Sequence, residues 1–202
     1  MALLVILFLC LFTFAFALFG GGTNGAKALQ RKILDLSDSV NRGLSETPAD
    51  REQIQKWFYE LAKLDPTKGK ALSDKDLSGT WLLRYTTSDS ILGRGKSPRV
   101  GPIRQMLDTT GLRAANSEIV DYKLFKLPRK VVAELDPQGP SLTNVYFKEF
   151  TIGKLLKIKA PDKFRGTLDV NYLNKDFRLS IGDKGSLFVL TKESNNIDPD
   201  NL

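Results

Sequence analysis

Any chemistry performed by this chain must proceed without histidine, because the sequence contains none. The commonest general base and metal ligand at neutral pH is therefore absent. The one cysteine, Cys10, lies within an apolar N-terminal run. Removal of that run would leave no thiol for a disulfide, a zinc–thiolate site or a nucleophile. Carboxylates, lysine, serine and tyrosine remain. Asp169, Asp176 and Asp183 are the candidates for a carboxylate pair, but their setting places them on turns or outward strand faces. Catalysis is not expected, nor is a cofactor or a metal. The residues that do recur with order are aromatic and aliphatic side chains at every second position, with two amides and an arginine among them.

That period of two is the mark of strands. Trp81, Leu83 and Tyr85 alternate with Leu82, Arg84 and Thr86, and Leu168, Val170 and Tyr172 with Thr167, Asp169 and Asn171. After the turn Asn174-Lys175-Asp176, Phe177, Leu179 and Ile181 alternate with Arg178, Ser180 and Gly182; a second turn leads to the run containing Phe188 and Leu190. Shorter strand-like runs fall at 103–107, 115–120, 130–135, 142–150 and 155–158, and 90–102, rich in glycine and proline, reads as a loop. About seven to nine short strands without an intervening long helix predict an antiparallel barrel or sandwich. The predicted inward residues are Trp81, Leu83, Tyr85, Leu168, Val170, Tyr172, Phe177, Leu179, Phe188 and Leu190, which either fill a core or line a ligand cavity. Arg178 falls on the face opposite Phe177 and Leu179. Either it forms a salt bridge with Asp169, Asp176 or Asp183, or a bulge in its strand carries the guanidinium to a ligand headgroup. Gln105 and Asn116 are either contacts to a ligand's ring oxygen or ordinary strand and turn hydrogen-bonding groups.

Ahead of the strands, Ala28 to Val40 carries Leu29, Ile33, Leu36 and Val40 at helical spacing, and a second helix starts at Pro48 and carries Ile54, Trp57, Phe58, Leu61 and Leu64 as an apolar stripe. These helices either pack on the body or lie on a membrane surface or partner. Residues 2–19 are apolar except for Thr13, a length of about 27 Å as a helix, just short of a hydrocarbon core. The run reads either as a cleavable secretory-type signal, with Ala15-Phe16-Ala17 placing small residues at alternate positions, or as an uncleaved anchor. The domain reading is 1–22 signal or anchor, 23–70 helical segment, 71–193 barrel and 194–202 polar tail. A net charge of +7 suits an anionic partner surface. Three basic runs contribute to it, and Arg94, Lys96, Arg99, Lys126, Arg129, Lys130, Lys154, Lys157 and Lys159 are the predicted membrane-surface residues. Two of the runs interleave with apolar residues: Leu124, Phe125 and Leu127 in one, Leu155, Leu156 and Ile158 in the other. Nucleic acid would also suit the charge, but the chain lacks a recognised aromatic–basic motif and nucleic-acid binding is not expected.

The strand that opens the barrel region, Gly79-Thr80-Trp81-Leu82-Leu83-Arg84-Tyr85-Thr86-Thr87-Ser88, and the ending from Tyr172 through Asn174-Lys175-Asp176-Phe177-Arg178-Leu179-Ser180-Ile181-Gly182 to Leu190 resemble the plastid lipid-associated proteins, or fibrillins. Ile103-Arg104-Gln105-Met106-Leu107-Asp108 and Ala115-Asn116 fit the middle of the same pattern, so the resemblance spans roughly residues 70 to 192. Asn174 replaces a common acid and Ile181 a common second arginine, so a role that needs both arginines is not carried over. The resemblance implies a lipocalin-like barrel in plastids, at thylakoids or plastoglobules. It implies binding, storage or transport of lipids, prenylquinones or carotenoids, with Trp81, Leu83, Tyr85, Gln105, Asn116, Tyr172, Phe177, Arg178 and Phe188 as ligand-binding candidates. The alternative is a structural or docking subunit of a thylakoid complex such as a photosystem antenna. The implied partners are therefore a hydrophobic small molecule, a membrane surface and photosynthetic membrane proteins. A hydrophobic N-terminus is unlike a serine- and arginine-rich transit peptide and fits a plastid reached through a secretory-type signal, with Phe16 after Ala15.

Overall fold

The computed structural model describes residues 23–95, 97–153 and 155–202; the signal-or-anchor run, Lys96 and Lys154 lie outside the described residues. Helix α1 (Thr23–Ser39) and helix α2 (Pro48–Ala62) precede the sheet. Thr47 starts α2 with a reciprocal cap: its hydroxyl accepts from the Asp50 amide at 3.2 Å, and the Asp50 carboxylate accepts from the Thr47 amide at 2.9 Å. Pro48 occupies the first helical position, where its missing N–H costs nothing. Between the helices, Gly43 adopts φ +105°, and a Cβ there would lie 2.7 Å from the Thr86 carbonyl oxygen. Only glycine lets this turn rest against the sheet. Among the described residues no helix is long and apolar enough to cross a membrane.

The strands are β1 (Gly79–Thr86), β2 (Arg99–Asp108), β3 (Arg113–Asp121), β4 (Lys126–Pro137), β5 (Leu142–Ile152), β6 (Leu156–Lys159), β7 (Arg165–Leu173), β8 (Phe177–Gly182) and β9 (Leu187–Ser194). All pairings are antiparallel, in the order β4-β3-β2-β1-β9-β8-β7-β5-β6, and pairing of β4 with β5 joins the ends into a closed, lipocalin-like barrel. Closure satisfies the edge groups that an open sheet would expose. The short β6 pairs with β5 beyond the point where β7 leaves it. The segment read as a loop at 90–102 instead contains the one-turn helix α3 (Asp89–Leu92) and the start of β2. There Gly101, at φ +69°, accompanies a slip of register between Val100 and Arg104. The segment read as a polar tail folds back: the Asn196 carbonyl accepts from Thr80 Oγ1 at 2.9 Å, and the Pro199 carbonyl from Lys130 Nζ at 2.8 Å.

The barrel separates two apolar clusters. Inside are Trp81, Leu83, Ile103, Leu107, Leu135, Leu168, Val170, Leu173 and Leu190. Outside, beneath α1 and α2, are Ile33, Ile54, Phe58, Leu61, Tyr85, Tyr172, Phe177, Leu179 and Val189. Tyr85, Tyr172, Phe177 and Leu179 therefore do not face the lumen, contrary to expectation. Two bulges account for the tyrosines. Arg84 is an extra residue between the pairs Leu83–Leu190 and Tyr85–Val189, and Asn171 is an extra residue between Val170–Ser180 and Tyr172–Leu179. Each bulge reverses the parity of the residues beyond it. Phe177 and Leu179 fall outside because Arg178 pairs with the inward Leu190. Both faces of β8 are buried, one by the lumen and one by the helices, so the side bearing the larger apolar residues is the outer one. Full burial of a side chain such as Phe58 or Ile54 stabilises the helical layer by roughly 1.5–3 kcal/mol.

Candidate ligand-binding lumen

One end of the barrel is closed. Trp81 stands there with its indole N–H donating to the Leu77 carbonyl at 2.9 Å. The Arg178 guanidinium lies 4.9 Å and the Lys192 ammonium 4.6 Å from the Trp81 ring centroid, both within cation–π range. Lys192 Nζ also donates to the carbonyls of Asp76 and Ser78 at 2.7 and 2.5 Å, tying β9 to the turns that precede β1. Burial lowers the Lys192 pKa, against an opposing pull from Asp76. Gly79 is required beside this plug: at φ +133°, a Cβ would lie 2.6 Å from the Ser194 carbonyl oxygen.

Above the plug the lumen opens into two adjoining cavities of about 570 and 320 Å³. They share Ser90, Ile91, Gln105, Asn116, Val131, Phe147 and Phe188. The larger continues over Leu107, Ala114, Ala133, Leu135, Val145 and Leu168, and the smaller over Leu83, Ile103, Phe150, Phe164 and Leu190. These volumes and this apolar lining are ordinary for a site that holds a small hydrophobic molecule. Phe147 and Phe150, three residues apart, both line it. A bulge at Lys148 restores inward parity between the pairs Ala133–Phe147 and Val131–Phe150.

Polar and charged residues line the outer parts of both cavities, among them Asp89, Thr167 and Asp183 in the larger and Arg99, Glu118 and Arg129 in the smaller, and two amides stand where the cavities meet. Gln105 pairs across β1–β2 with Trp81 and across β2–β3 with Asn116. Arg178 is fully buried, and its Nη2 donates to Gln105 Oε1. An arginine is only a donor, so this contact fixes which end of the Gln105 amide is oxygen and leaves its Nε2 donor to the lumen. Nε and Nη1 of Arg178, Oδ1 of Asn116 and Oγ of Ser180 are buried without a hydrogen-bond partner among the described residues. Burial pushes the guanidinium pKa down to about 9, which leaves it charged at neutral pH. No carboxylate among the described residues pairs with it, so the salt-bridge reading, with Asp169, Asp176 or Asp183, does not hold; nor does its strand bulge, since β8 runs in regular alternation from Phe177 to Ile181 against β9. Asp169 accepts from Ser141 and Asn171, and Asp183 from Thr167. Arg178 thus backs Gln105 from the closed end, beneath the cavity walls.

Of the ligand candidates, Leu83, Gln105, Asn116 and Phe188 line the cavities, Trp81 and Arg178 stand against each other outside the cavity lining, with Arg178 reaching it only through Gln105, and Tyr85, Tyr172 and Phe177 lie under the helices. Tyr85 and Tyr172 instead hold the helical layer. The Tyr85 hydroxyl donates to Glu46 Oε2 at 2.6 Å, and the Tyr172 hydroxyl accepts from Gln30 Nε2 at 2.8 Å. Burial raises the pKa of both phenols. Glu46 was not evident from the sequence, yet it is the hub: its side chain is 4% exposed and also accepts from Arg51 and Arg94, each within 2.9 Å. Burial alone would raise its pKa, but the bonds from Arg94, Tyr85 and Arg51 outweigh that and hold the carboxyl below its usual range.

The basic candidates divide similarly. Arg94 is not a free loop charge: it bonds Glu46, Asp89 and the Gly43 carbonyl and so pins α3. Arg99, 11% exposed, pairs with Glu118 at 2.8 Å, and Arg129 reaches the same carboxylate at 3.3 Å; all three line the mouth of the smaller cavity. These arginines serve the interior because Glu46 and Glu118 draw them inward. Lys130 caps the C-terminal turn and Lys157 pairs with Glu149 at 3.2 Å. Lys126 and Lys159 are exposed, with no ion pair among the described residues. Ile91, Glu118, Phe147, Phe150 and Phe164 are lining residues that sequence periodicity missed: a helix inside a loop hides Ile91, a bulge hides the spacing of Phe147 and Phe150, Glu118 is charged and Phe164 lies in the turn before β7.

The PAP_fibrillin family model matches residues 27–191. Similar proteins include probable plastid-lipid-associated protein 5, chloroplastic, of Arabidopsis thaliana, 28% identical over 178 residues covering 88% of this chain and 74% of the relative. The light-induced protein, chloroplastic, of Solanum tuberosum is 25% identical, with 82% of this chain and 67% of the relative covered. Plastoglobulin-1, chloroplastic, of Pisum sativum is 22% identical, with 88% and 64% covered.

Proposed function

The chain belongs to the PAP_fibrillin family, and on that premise we propose that it is a non-catalytic carrier or store of hydrophobic plastid molecules at thylakoid or plastoglobule membranes. The observation that carries this reading is the lumen: a cavity within a closed barrel, walled in part by aliphatic and aromatic side chains, with the amides of Gln105 and Asn116 on neighbouring strands where its two parts meet and Asn116 Oδ1 unpartnered among the described residues. A lipid, prenylquinone or carotenoid matches that arrangement. Its chain or ring system replaces water along Leu83, Val131, Phe147 and Phe188, while an oxygen function accepts from Gln105 Nε2 or donates to Asn116 Oδ1. Each methylene removed from water contributes roughly 0.8 kcal/mol, so the chain supplies affinity and the amides supply orientation. The relatives' names, plastid-lipid-associated protein and plastoglobulin, support the compartment and the ligand class.

The test is mass spectrometry of the protein purified from its native membranes, on the intact chain and on its organic extract. A stoichiometric quinone, carotenoid or lipid retained through detergent exchange is the expected result. A chain that carries no such molecule and comigrates with a pigment complex would overturn carriage in favour of a docking role. Lumen filling gives a second check. Ala133→Phe, at a 3% exposed lining position, is expected to displace the retained molecule while the barrel stays folded.

A further inference from the structure

The strand directions place the turns β1–β2, β3–β4, β5–β7 and β8–β9 together at the end of the barrel opposite the Trp81 plug. Two hairpins there stand side by side: Arg129 on β4 pairs with Ile152 on β5, and the Gly153 amide donates to the Pro128 carbonyl at 2.8 Å. Each hairpin ends in a leucine that the fold leaves in solvent, Leu124 at 92% exposure and Leu155 at 91%. Leu124 is not a loose end in its hairpin. The first turn is closed by the Tyr122 amide donating to the Phe125 carbonyl at 2.9 Å, with Lys123 at φ +70° and the Tyr122 and Phe125 rings 5.4 Å apart. Phe125, Leu156 and Ile158 extend the apolar surface below the tips. Such a cluster on one rim is far from the scattered exposure expected of an ordinary surface.

Charge identifies what this rim meets. Lys123, Lys126, Lys157, Lys159 and Lys163 flank the tips, against Asp121, Glu149 and Asp162; Glu149 already pairs with Lys157 at 3.2 Å and Asp121 accepts from the Lys123 amide at 2.7 Å, which leaves the basic side chains in excess. Lysines beside protruding leucines fit an interface with anionic headgroups outside and hydrocarbon beneath. We propose that the paired tips of the β3–β4 and β5–β6 hairpins form a docking surface for an anionic lipid membrane, which sets the open end of the barrel against the bilayer. This extends the carrier reading without depending on it, because the rim is built whether or not the lumen is filled.

The test reads the position of the tips rather than vesicle binding by the chain as a whole. In a full-length Cys10→Ser background, an environment-sensitive fluorophore is placed at Leu124→Cys, Leu155→Cys or, at the opposite end of the barrel, Leu112→Cys. Vesicles contain phosphatidylcholine alone or with about one-third phosphatidylglycerol. With the anionic vesicles, labels at 124 and 155 are expected to shift to the blue and to be quenched by nitroxide lipids, whereas the label at 112 remains in water. Lys126→Glu/Lys159→Glu is expected to weaken the response about tenfold. Tip labels that stay in water, a response at 112 equal to that at 124, or equal insertion into neutral vesicles would each overturn the proposal. Tip labels silent with vesicles but buried by a membrane-protein fraction would assign the rim to a protein partner instead. Because the retained-ligand measurement uses no vesicles and this one requires no ligand, the two readings fail separately.

Discussion

Gln105 and Asn116 are opposite residues on neighbouring strands, but only Gln105 is served by a protein group, the Arg178 guanidinium. An unpartnered buried acceptor such as Asn116 Oδ1 costs about 1–3 kcal/mol. Asn116→Leu, which keeps the branched shape and extends into the adjoining cavity, is therefore expected to stabilise the ligand-free barrel by about 1 kcal/mol and to reduce ligand retention about tenfold. Denaturant titration and organic extraction read the two effects; a loss of both stability and ligand would mark Asn116 as a structural residue. Glu46 makes the opposite case. Its folded pKa lies below the ordinary value, so its contribution is complete above the unfolded pKa and disappears as pH falls through the folded one. Glu46→Gln leaves Arg51, Arg94 and Tyr85 around a neutral amide and is expected to cost about 2–4 kcal/mol at pH 7. The wild-type and variant stabilities should converge as pH falls below the Glu46 titration; a gap that persists in acid would show that the carboxylate charge is not the source.

At the scale of elements, α3 is the piece best placed to control access. It carries Ile91 into the wall shared by both cavities, and its following turn is held by Arg94 to Glu46 at 2.8 Å. Arg94→Ala should free α3 at a cost of about 1.4 kcal/mol, hence about tenfold faster dissociation of a bound fluorescent lipid, with little change in the barrel's own unfolding. Unchanged dissociation would place the exit route elsewhere. This element could not be read from residues 90–102, where Gly93, Gly95, Gly101, Pro98 and Pro102 give the pattern of a loop. The strands themselves were legible: alternation around Trp81, Leu168 and Phe177 places β1, β7 and β8 within a few residues of their ends. Which face was inward was less legible, for two physical reasons. A bulge adds one residue and reverses parity without altering composition, as at Arg84 and Asn171. A strand buried on both faces has no polar side to indicate direction, as in β8, where the inward residues are Arg178 and Ser180. Of the ligand candidates, Gln105, Asn116, Leu83 and Phe188 stand where alternation puts them, because their stretches of strand carry no such irregularity.

For the whole molecule, the arrangement has a direction. The Trp81, Arg178 and Lys192 plug closes one end, the helices cover one flank, and the mouth opens on the rim that bears Leu124 and Leu155. A ligand that leaves a bilayer for water loses the burial of its whole chain, at roughly 0.8 kcal/mol per methylene, and so crosses slowly alone. A barrel whose mouth rests on the bilayer removes most of that barrier, since the chain passes from hydrocarbon to Phe150, Phe164 and Phe188 with little exposure. Transfer of a fluorescent lipid from vesicle to protein should then be collisional, its rate rising with the concentration of anionic vesicles. Leu124→Asp/Leu155→Asp is expected to slow it about tenfold, while equilibrium affinity stays the same and stability stays within about 0.5 kcal/mol, because both side chains are in solvent in the free protein. Stopped-flow transfer at several vesicle concentrations makes the distinction. A rate independent of vesicle concentration would mean that the ligand travels through water, and the rim would then bind membrane without serving as the route of loading.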